Sequence, residues 1–234
     1  MDIFNAMATR RSIRRFKAKP VERDDLHFII EMAMKAPSAG NLQDYRFIIV
    51  RDKAVIKELP DYCMDQMWIS GAPIVIVVCS QPKLQKKWYG APGEIFARQN
   101  AAAATQNILL AAHGLGLGAC WVSGFNQEKV DNLFELNGKA RVESIIPIGY
   151  PAEKPVSKTE FTLNNMLFFD IYEGDIADWD RFTKNYSGII EKKLASAKEK
   201  FKEKSSGAKV TIKDISKKLK DAHAKVKKKL KEKK

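Results

Sequence analysis

The chain has 234 residues and a net charge of +13, from 41 Lys and Arg against 28 Asp and Glu. The charge is unevenly placed: residues 188–234 hold 18 Lys and no Arg against 6 acidic residues, +12, while residues 1–187 hold 23 basic and 22 acidic residues, +1. A near-neutral body excludes a domain that grips a polyanion over its whole surface. The longest apolar run, residues 72–79, is far shorter than a membrane-spanning helix requires.

Body and tail therefore read as two parts, a domain at 1–187 and a Lys-rich extension at 188–234. Arg10, Arg11, Arg14 and Arg15 fall where a secretory signal would be apolar. Cys63, Cys79 and Cys120 are far apart and form no CxxC, which points to a reducing cytoplasm without structural zinc or an iron–sulfur cluster. His27, His113 and His223 form no ligand pair, so no metal site is expected.

In chain order, Asp2 can cap a short helix with Ile3, Phe4 and Met7 on its apolar face. The cluster Arg10-Arg11-Ser12-Ile13-Arg14-Arg15-Phe16 follows. Residues 22–35 predict an amphipathic helix that buries Leu26, Ile29, Ile30, Met32 and Ala33. Pro37-Ser38-Ala39-Gly40-Asn41 must be a loop, because these are turn-forming residues. Phe47-Ile48-Ile49-Val50 predicts a buried strand, 53–68 a helical excursion, and Ile74-Val75-Ile76-Val77-Val78 the strongest strand.

Residues 94–113 predict the clearest helix, with Ala97, Ala101, Ala104, Ile108 and Ala111/Ala112 at helical spacing. Its alanines allow close approach, which places it at the centre. Gly114, Gly116 and Gly118 end it. A strand at Cys120-Trp121-Val122, a helix at 127–135 and a strand at 144–151 complete the body. Strands and helices mix without a strict βαβ rhythm, so the fold class is α+β.

Gly114-Leu115-Gly116-Leu117-Gly118 closes a helix and precedes a strand, the reverse of a dinucleotide fingerprint. It reads as a flexible cap beside which backbone N–H groups can approach a flat ligand. The arginine cluster reads either as a solvated basic turn or as an anion site. The planar guanidinium suits phosphate, and in an extended segment Arg10, Ser12 and Arg14 share one side. The loop at 37–43 reads as a turn, or as a second polar wall offering Ser38, Asn41 and Gln43. Gln106 and Asn107 read as satisfied core or interface groups, and Trp121 as core.

Taken in order, these segments resemble the FMN-dependent nitroreductase family. The matching stretches are residues 10–16, Ala36-Pro37-Ser38-Ala39-Gly40-Asn41-Leu42-Gln43, the Ala-Pro-strand at 72–78, Gln106-Asn107 in the Ala-rich helix, residues 114–125, and Ile146-Pro147-Ile148-Gly149-Tyr150-Pro151. They span roughly residues 1–165, and their ordered combination is far more specific than any one motif.

The resemblance implies α-β-α layers around a mainly antiparallel sheet, with a helical C-terminal tail. It implies a homodimer holding FMN in two interface clefts. By position, Arg10, Arg11, Ser12 and Arg14 would hold the phosphate, ribityl chain and pyrimidine edge. Pro37, Ser38, Ala39, Asn41 and Gln43 would come from the other subunit. Val122, Ser123 and Gly124 would pass along the isoalloxazine. The family often places a basic residue after Gly-Tyr-Pro as a further phosphate ligand; here the candidates are Lys154 and Lys158. It often has Pro-Trp after the Gln, where this chain has Asp44-Tyr45.

The function so implied is transfer of electrons from NADH or NADPH through FMN N5 to a small acceptor, a nitroaromatic, quinone or similar, by a ping-pong mechanism. FMN carries the chemistry, so no catalytic side chain is required, and the chain shows no convincing triad or carboxylate pair. Dehalogenating and flavin-cleaving relatives are alternatives within the family.

A different class of function is binding through the tail. Ile190, Leu194, Ala197 and Phe201 predict one cationic amphipathic helix. Ile212, Ile215, Leu219, Ala222 and Val226 predict another, after a capping box at Thr211–Asp214. Such helices either pack on the body or tether the protein to anionic membrane or nucleic acid.

Overall fold

A computed structural model describes residues 2–155, 161 and 166–174, and the chain divides into two compact units, Met1–Thr159 and Glu160–Lys234. Lys158 and the two Lys-rich helices read from 188–234 lie outside the described residues. In the second unit the described residues make a turn in which the Phe168 and Tyr172 rings stand 5.0 Å apart.

In the first unit, α1 (Ile3–Thr9) and α2 (Arg23–Ala33) precede β1 (Tyr45–Val50) and α3 (Lys53–Tyr62). There follow β2 (Ile74–Ser80), α4 (Pro82–Tyr89), α5 (Gly93–Gly114), β3 (Gly118–Ala119), α6 (Gln127–Leu133) and β4 (Arg141–Gly149). The four strands form one antiparallel sheet in the order β1-β2-β4-β3.

Alternation along β2 explains the layering. Ile74, Ile76 and Val78 face a core shared with Leu26 and Ile29 of α2 and Ala101, Ile108 and Ala112 of α5. Val75, Val77 and Cys79 face the opposite core, with Ile56 and Leu59 of α3 and Val130 of α6. Every residue of β2 is therefore buried. These are the expected α-β-α layers. The alanines of α5 are buried at Ala97, Ala101, Ala104 and Ala112, as close packing requires.

Four local readings change. The strand read at Phe47-Ile48-Ile49-Val50 begins at Tyr45 and is an edge strand, with Ile49 exposed rather than buried. The helix read over 53–68 stops at Tyr62, where Met64 and Asp65 take positive φ and a 3-10 turn follows at Met67–Gly71.

The strand read at Cys120-Trp121-Val122 ends at Ala119. Cys120 N still donates to Pro147 O, but Pro147 has no N–H to return, and pairing resumes only as a bridge between Val122 and Ile145. One element, α4, is not among those expected from the sequence. Its signals were Pro82 in the first turn and Gly90 just past the end.

All three cysteines are free and buried. Burial pushes the Cys63 thiol up to about 11 and the Cys79 thiol up to about 12. A thiol reagent added to the native protein at pH 8 should therefore react with neither within minutes, and with all three cysteines after denaturation. Fast native labelling at Cys63 or Cys79 would contradict this packing.

Candidate functional site

The arginine segment is positioned from both of its ends. Asp2 caps α1 through Asn5 N at 2.9 Å, and Arg10 N closes the helix on Ala6 O at 3.0 Å. Thr9 Oγ1 donates to Asn5 O at 2.6 Å and lies 2.8 Å from His113 Nε2, which ties the end of α1 to the end of α5. Partial burial, with Arg10 and Arg11 beside it, holds the His113 imidazolium below its ordinary range. Arg11 is partly committed, because its Nη1 donates to Ala8 O and Arg10 O.

Beyond Arg11 the chain runs extended beside β3. Ile13 N donates to Ala119 O at 3.0 Å, and Ser12 bridges Ala119. Ile13 is buried against Gly118, where a Cβ would come within 2.7 Å of Ile13 side-chain carbons, so glycine is what lets this segment close on the sheet. Extended backbone alternates sides, so burying Ile13 sends Ser12 and Arg14 to the opposite face. Among the described residues Arg10, Arg11, Arg14 and Arg15 form no ion pair. The Arg14 guanidinium stands 5.7 Å from the centre of the Trp68 ring.

The residues 122–124 lie in the same neighbourhood. Gln66, two positions before Trp68, donates to Gly124 O at 3.4 Å, and Val122 is held on Ile145. Burial raises the Cys120 thiol, opposed by Arg14, by a hydrogen bond with Ser12 and by Arg10. The structure thus brings Arg10, Ser12 and Arg14 together with Val122, Ser123 and Gly124. Ser123 is exposed and Gly124 half-buried.

The loop at 37–43 stands elsewhere. It is built on a buried polar knot that the sequence reading did not contain. Asp44 is fully buried; its Oδ1 accepts from Asn100 Nδ2 at 2.6 Å and from Gln85 Nε2 at 3.1 Å. Asn100 Oδ1 in turn accepts from Ala39 N at 3.0 Å, and Gln85 Nε2 reaches Ala39 O at 3.4 Å. Tyr45 Oη donates toward Met34 O and Ala36 O.

Gly40, Asn41 and Gln43 all take left-handed φ, and Gln43 N is held by Ser38 Oγ at 3.0 Å. A Cβ on Gly40 would meet the Tyr89 hydroxyl at 2.5 Å. Pro37 and Gln43 are exposed. The only hint of the knot was the departure at Asp44-Tyr45, since Gln85 fell in the unread helix and Asn100 lay among the alanines.

Asn100 and His113 are 13 positions apart on α5, so about 20 Å of helix separates the two half-sites. One chain does not bring the loop at 37–43 against the arginine segment. Of the other polar residues read from sequence, Asn107 is satisfied by Met32 O at 3.0 Å, while Gln106 is exposed. Trp121 packs against the α2/α5 core, and its Nε1 has no hydrogen-bond partner among the described residues.

Chemically, the first half-site suits an anionic ligand with a flat, heteroatom-rich part. It offers arginines free of acidic partners, a hydroxyl, and an accessible backbone at 123–124. These donors fit FMN, whose phosphate matches guanidinium and whose ring edge matches N–H groups.

An antiparallel sheet between two helical layers, with an arginine segment laid on its short strand, defines the class to which comparison then gives a name. Residues 7–150 match the Nitroreductase family, and the chain belongs to it. A provisionally named NADH dehydrogenase/NAD(P)H nitroreductase of Methanothermobacter thermautotrophicus is 36% identical over 165 residues, which is 69% of this chain and 83% of that protein. FMN reductase [NAD(P)H] of Bacillus subtilis is 27% identical over 171 residues, 67% of this chain and 69% of that protein.

The crystal structure of a nitroreductase family protein from Clostridium novyi NT superposes with a TM-score of 0.60 at 28% identity, covering 65% of this chain and 87% of that one. The chain is thus an NAD(P)H-dependent oxidoreductase.

Proposed function

We propose that the protein binds FMN between two copies of the chain and reduces a small acceptor with electrons from NADH or NADPH. The observation that carries this reading is the set of arginines at 10–14 that form no ion pair among the described residues, beside the backbone at 122–124. The relative named FMN reductase [NAD(P)H] supports the choice of flavin.

Dimerisation is supported by the separation of the half-sites along α5. It is supported also by large apolar side chains left in solvent: Ile3, Phe4 and Met7 on α1, Phe28 on α2 and Ile95 on α5. In the dimer proposed here, the second copy covers these faces and supplies its loop at 37–43 to the first copy's arginines.

Bound FMN would supply the redox chemistry, with donor and acceptor using the cleft in turn in a ping-pong cycle. The protein's share is binding and electrostatics. Arg10 and Ser12 would hold the phosphate and ribityl chain. Arg14 would meet the pyrimidine edge, where its charge would favour an anionic ring. Ser123 and Gly124 offer main-chain N–H groups to the ring. Nitroaromatics and quinones are the acceptor class we propose, and the three free cysteines support a cytoplasmic setting.

The purified full-length protein should be yellow, or become so with added FMN, and should bleach anaerobically with NADH or NADPH. Adding a quinone should restore the colour. A colourless protein that takes up no FMN would overturn the proposal.

A further inference from the structure

We propose that Glu153 is a positioning residue for Arg14, fixing its backbone and limiting the positive charge that the arginine segment presents to its ligand. The inference rests on the flavin reading above. After Gly149-Tyr150-Pro151 the chain turns an acidic side chain onto the arginine segment.

Glu153 Oε1 accepts from Arg14 N at 2.6 Å and from Arg15 N at 3.1 Å. Two successive main-chain N–H groups converging on one point form an anion cradle, and here the chain's own carboxylate fills it. The surrounding pairing sets the register. Lys17 N donates to Tyr150 O at 2.8 Å, Ala152 N donates to Arg15 O at 2.8 Å, and Phe16 bridges Pro151. Glu153 thus closes a short antiparallel contact between residues 14–17 and 150–153.

Glu153 forms no ion pair among the described residues, so no side-chain cation neutralises it there. The arginine whose N–H it holds keeps its guanidinium over Trp68 and forms no ion pair among the described residues. Arg14 and Glu153 both act on the Cys120 thiol, with opposite signs, which places their charges in one neighbourhood. The carboxylate therefore does two separable things. Its oxygen orders the backbone that carries Arg14. Its charge opposes that of Arg14 where a reduced, anionic ring would bind.

Glu153→Gln keeps an oxygen acceptor and removes the charge; Glu153→Ala removes both. The test compares these variants with the wild-type full chain by two measurements. One is the affinity ratio of reduced to oxidised FMN, taken from the midpoint potential of bound against free flavin. The other is hydrogen exchange at the Arg14 and Arg15 amides without flavin.

In Glu153→Gln the affinity ratio should rise roughly three- to tenfold in favour of reduced flavin. In Glu153→Ala both amides should exchange about tenfold faster or more. An unchanged ratio in Glu153→Gln, or unchanged exchange in Glu153→Ala, overturns the proposal. A wild-type protein without affinity for FMN overturns the flavin reading and with it the charge-limiting role. In that case amide exchange still decides whether Glu153 holds the segment.

Discussion

Replacing Asp44 with Ala is expected to remove about 2–5 kcal/mol of stability, whereas Asp44→Asn should leave stability unchanged or raise it. The opposite outcomes follow from one arrangement. Asp44 Oδ1 is the shared acceptor for Asn100 Nδ2 and Gln85 Nε2 in a site closed to water. Truncation leaves two buried amide donors without partners, each costing on the order of 1–3 kcal/mol. The other carboxylate oxygen, Asp44 Oδ2, has no hydrogen-bond partner among the described residues, and neither has Gln85 Oε1.

Asp44→Asn keeps the shared acceptor and replaces an oxygen without a partner among the described residues by a donor, in a knot where Gln85 Oε1 lacks one. It also removes a buried carboxylate that forms no ion pair among the described residues. Urea denaturation of the three proteins measures the effect directly. If Asp44→Asn lost as much stability as Asp44→Ala, the negative charge itself would be what the knot requires. The knot holds Ala39 through both its N–H and its carbonyl. Asp44→Ala should therefore also loosen the left-handed backbone at 40–43, and proteolysis should begin there.

The second large effect is expected at the arginine segment. Arg10→Ala and Arg14→Ala should each weaken FMN binding roughly 10- to 150-fold, the loss of one charge-assisted contact of about 1.5–3 kcal/mol. Neither guanidinium is committed to an acidic partner among the described residues, so little internal stability is lost with it. Riboflavin separates their roles because it lacks the phosphate. Arg10→Ala should bind riboflavin as the wild type does. Arg14→Ala should lose affinity for both flavins. Fluorescence titration gives the four dissociation constants. Equal FMN affinity in wild type and Arg10→Ala would move the phosphate site elsewhere.

Most of the architecture was legible in the sequence because it rests on local pattern. The apolar run at 74–78 could only be a doubly buried strand, and the spaced alanines of 94–113 could only be a tightly packed helix. Less legible were features set by what a segment lies against. Whether Phe47-Ile48-Ile49-Val50 was central or at an edge depended on its neighbours in the sheet. Where the strand after Gly118 ended depended on Pro147, which is distant in sequence. The short helix at 82–89 was passed over because its apolar pattern is sparse, although Pro82 and Gly90 marked its ends.

The same division holds for the site. By itself the sequence determined where the charge lies: +12 on residues 188–234 and +1 on the body. It also determined that Arg10, Ser12 and Arg14 alternate with Ile13, because that follows from residue type and the two-residue period of extended chain. The tertiary structure alone decided which groups those side chains meet. It turned Glu153 onto the arginine backbone and built the loop at 37–43 on Asp44, Gln85 and Asn100. It also set the two half-sites about 20 Å apart along α5. Hydrogen bonds between residues 40 to 140 positions apart leave no periodic trace in a sequence. They arise only when packing of the apolar faces has already fixed where each backbone runs.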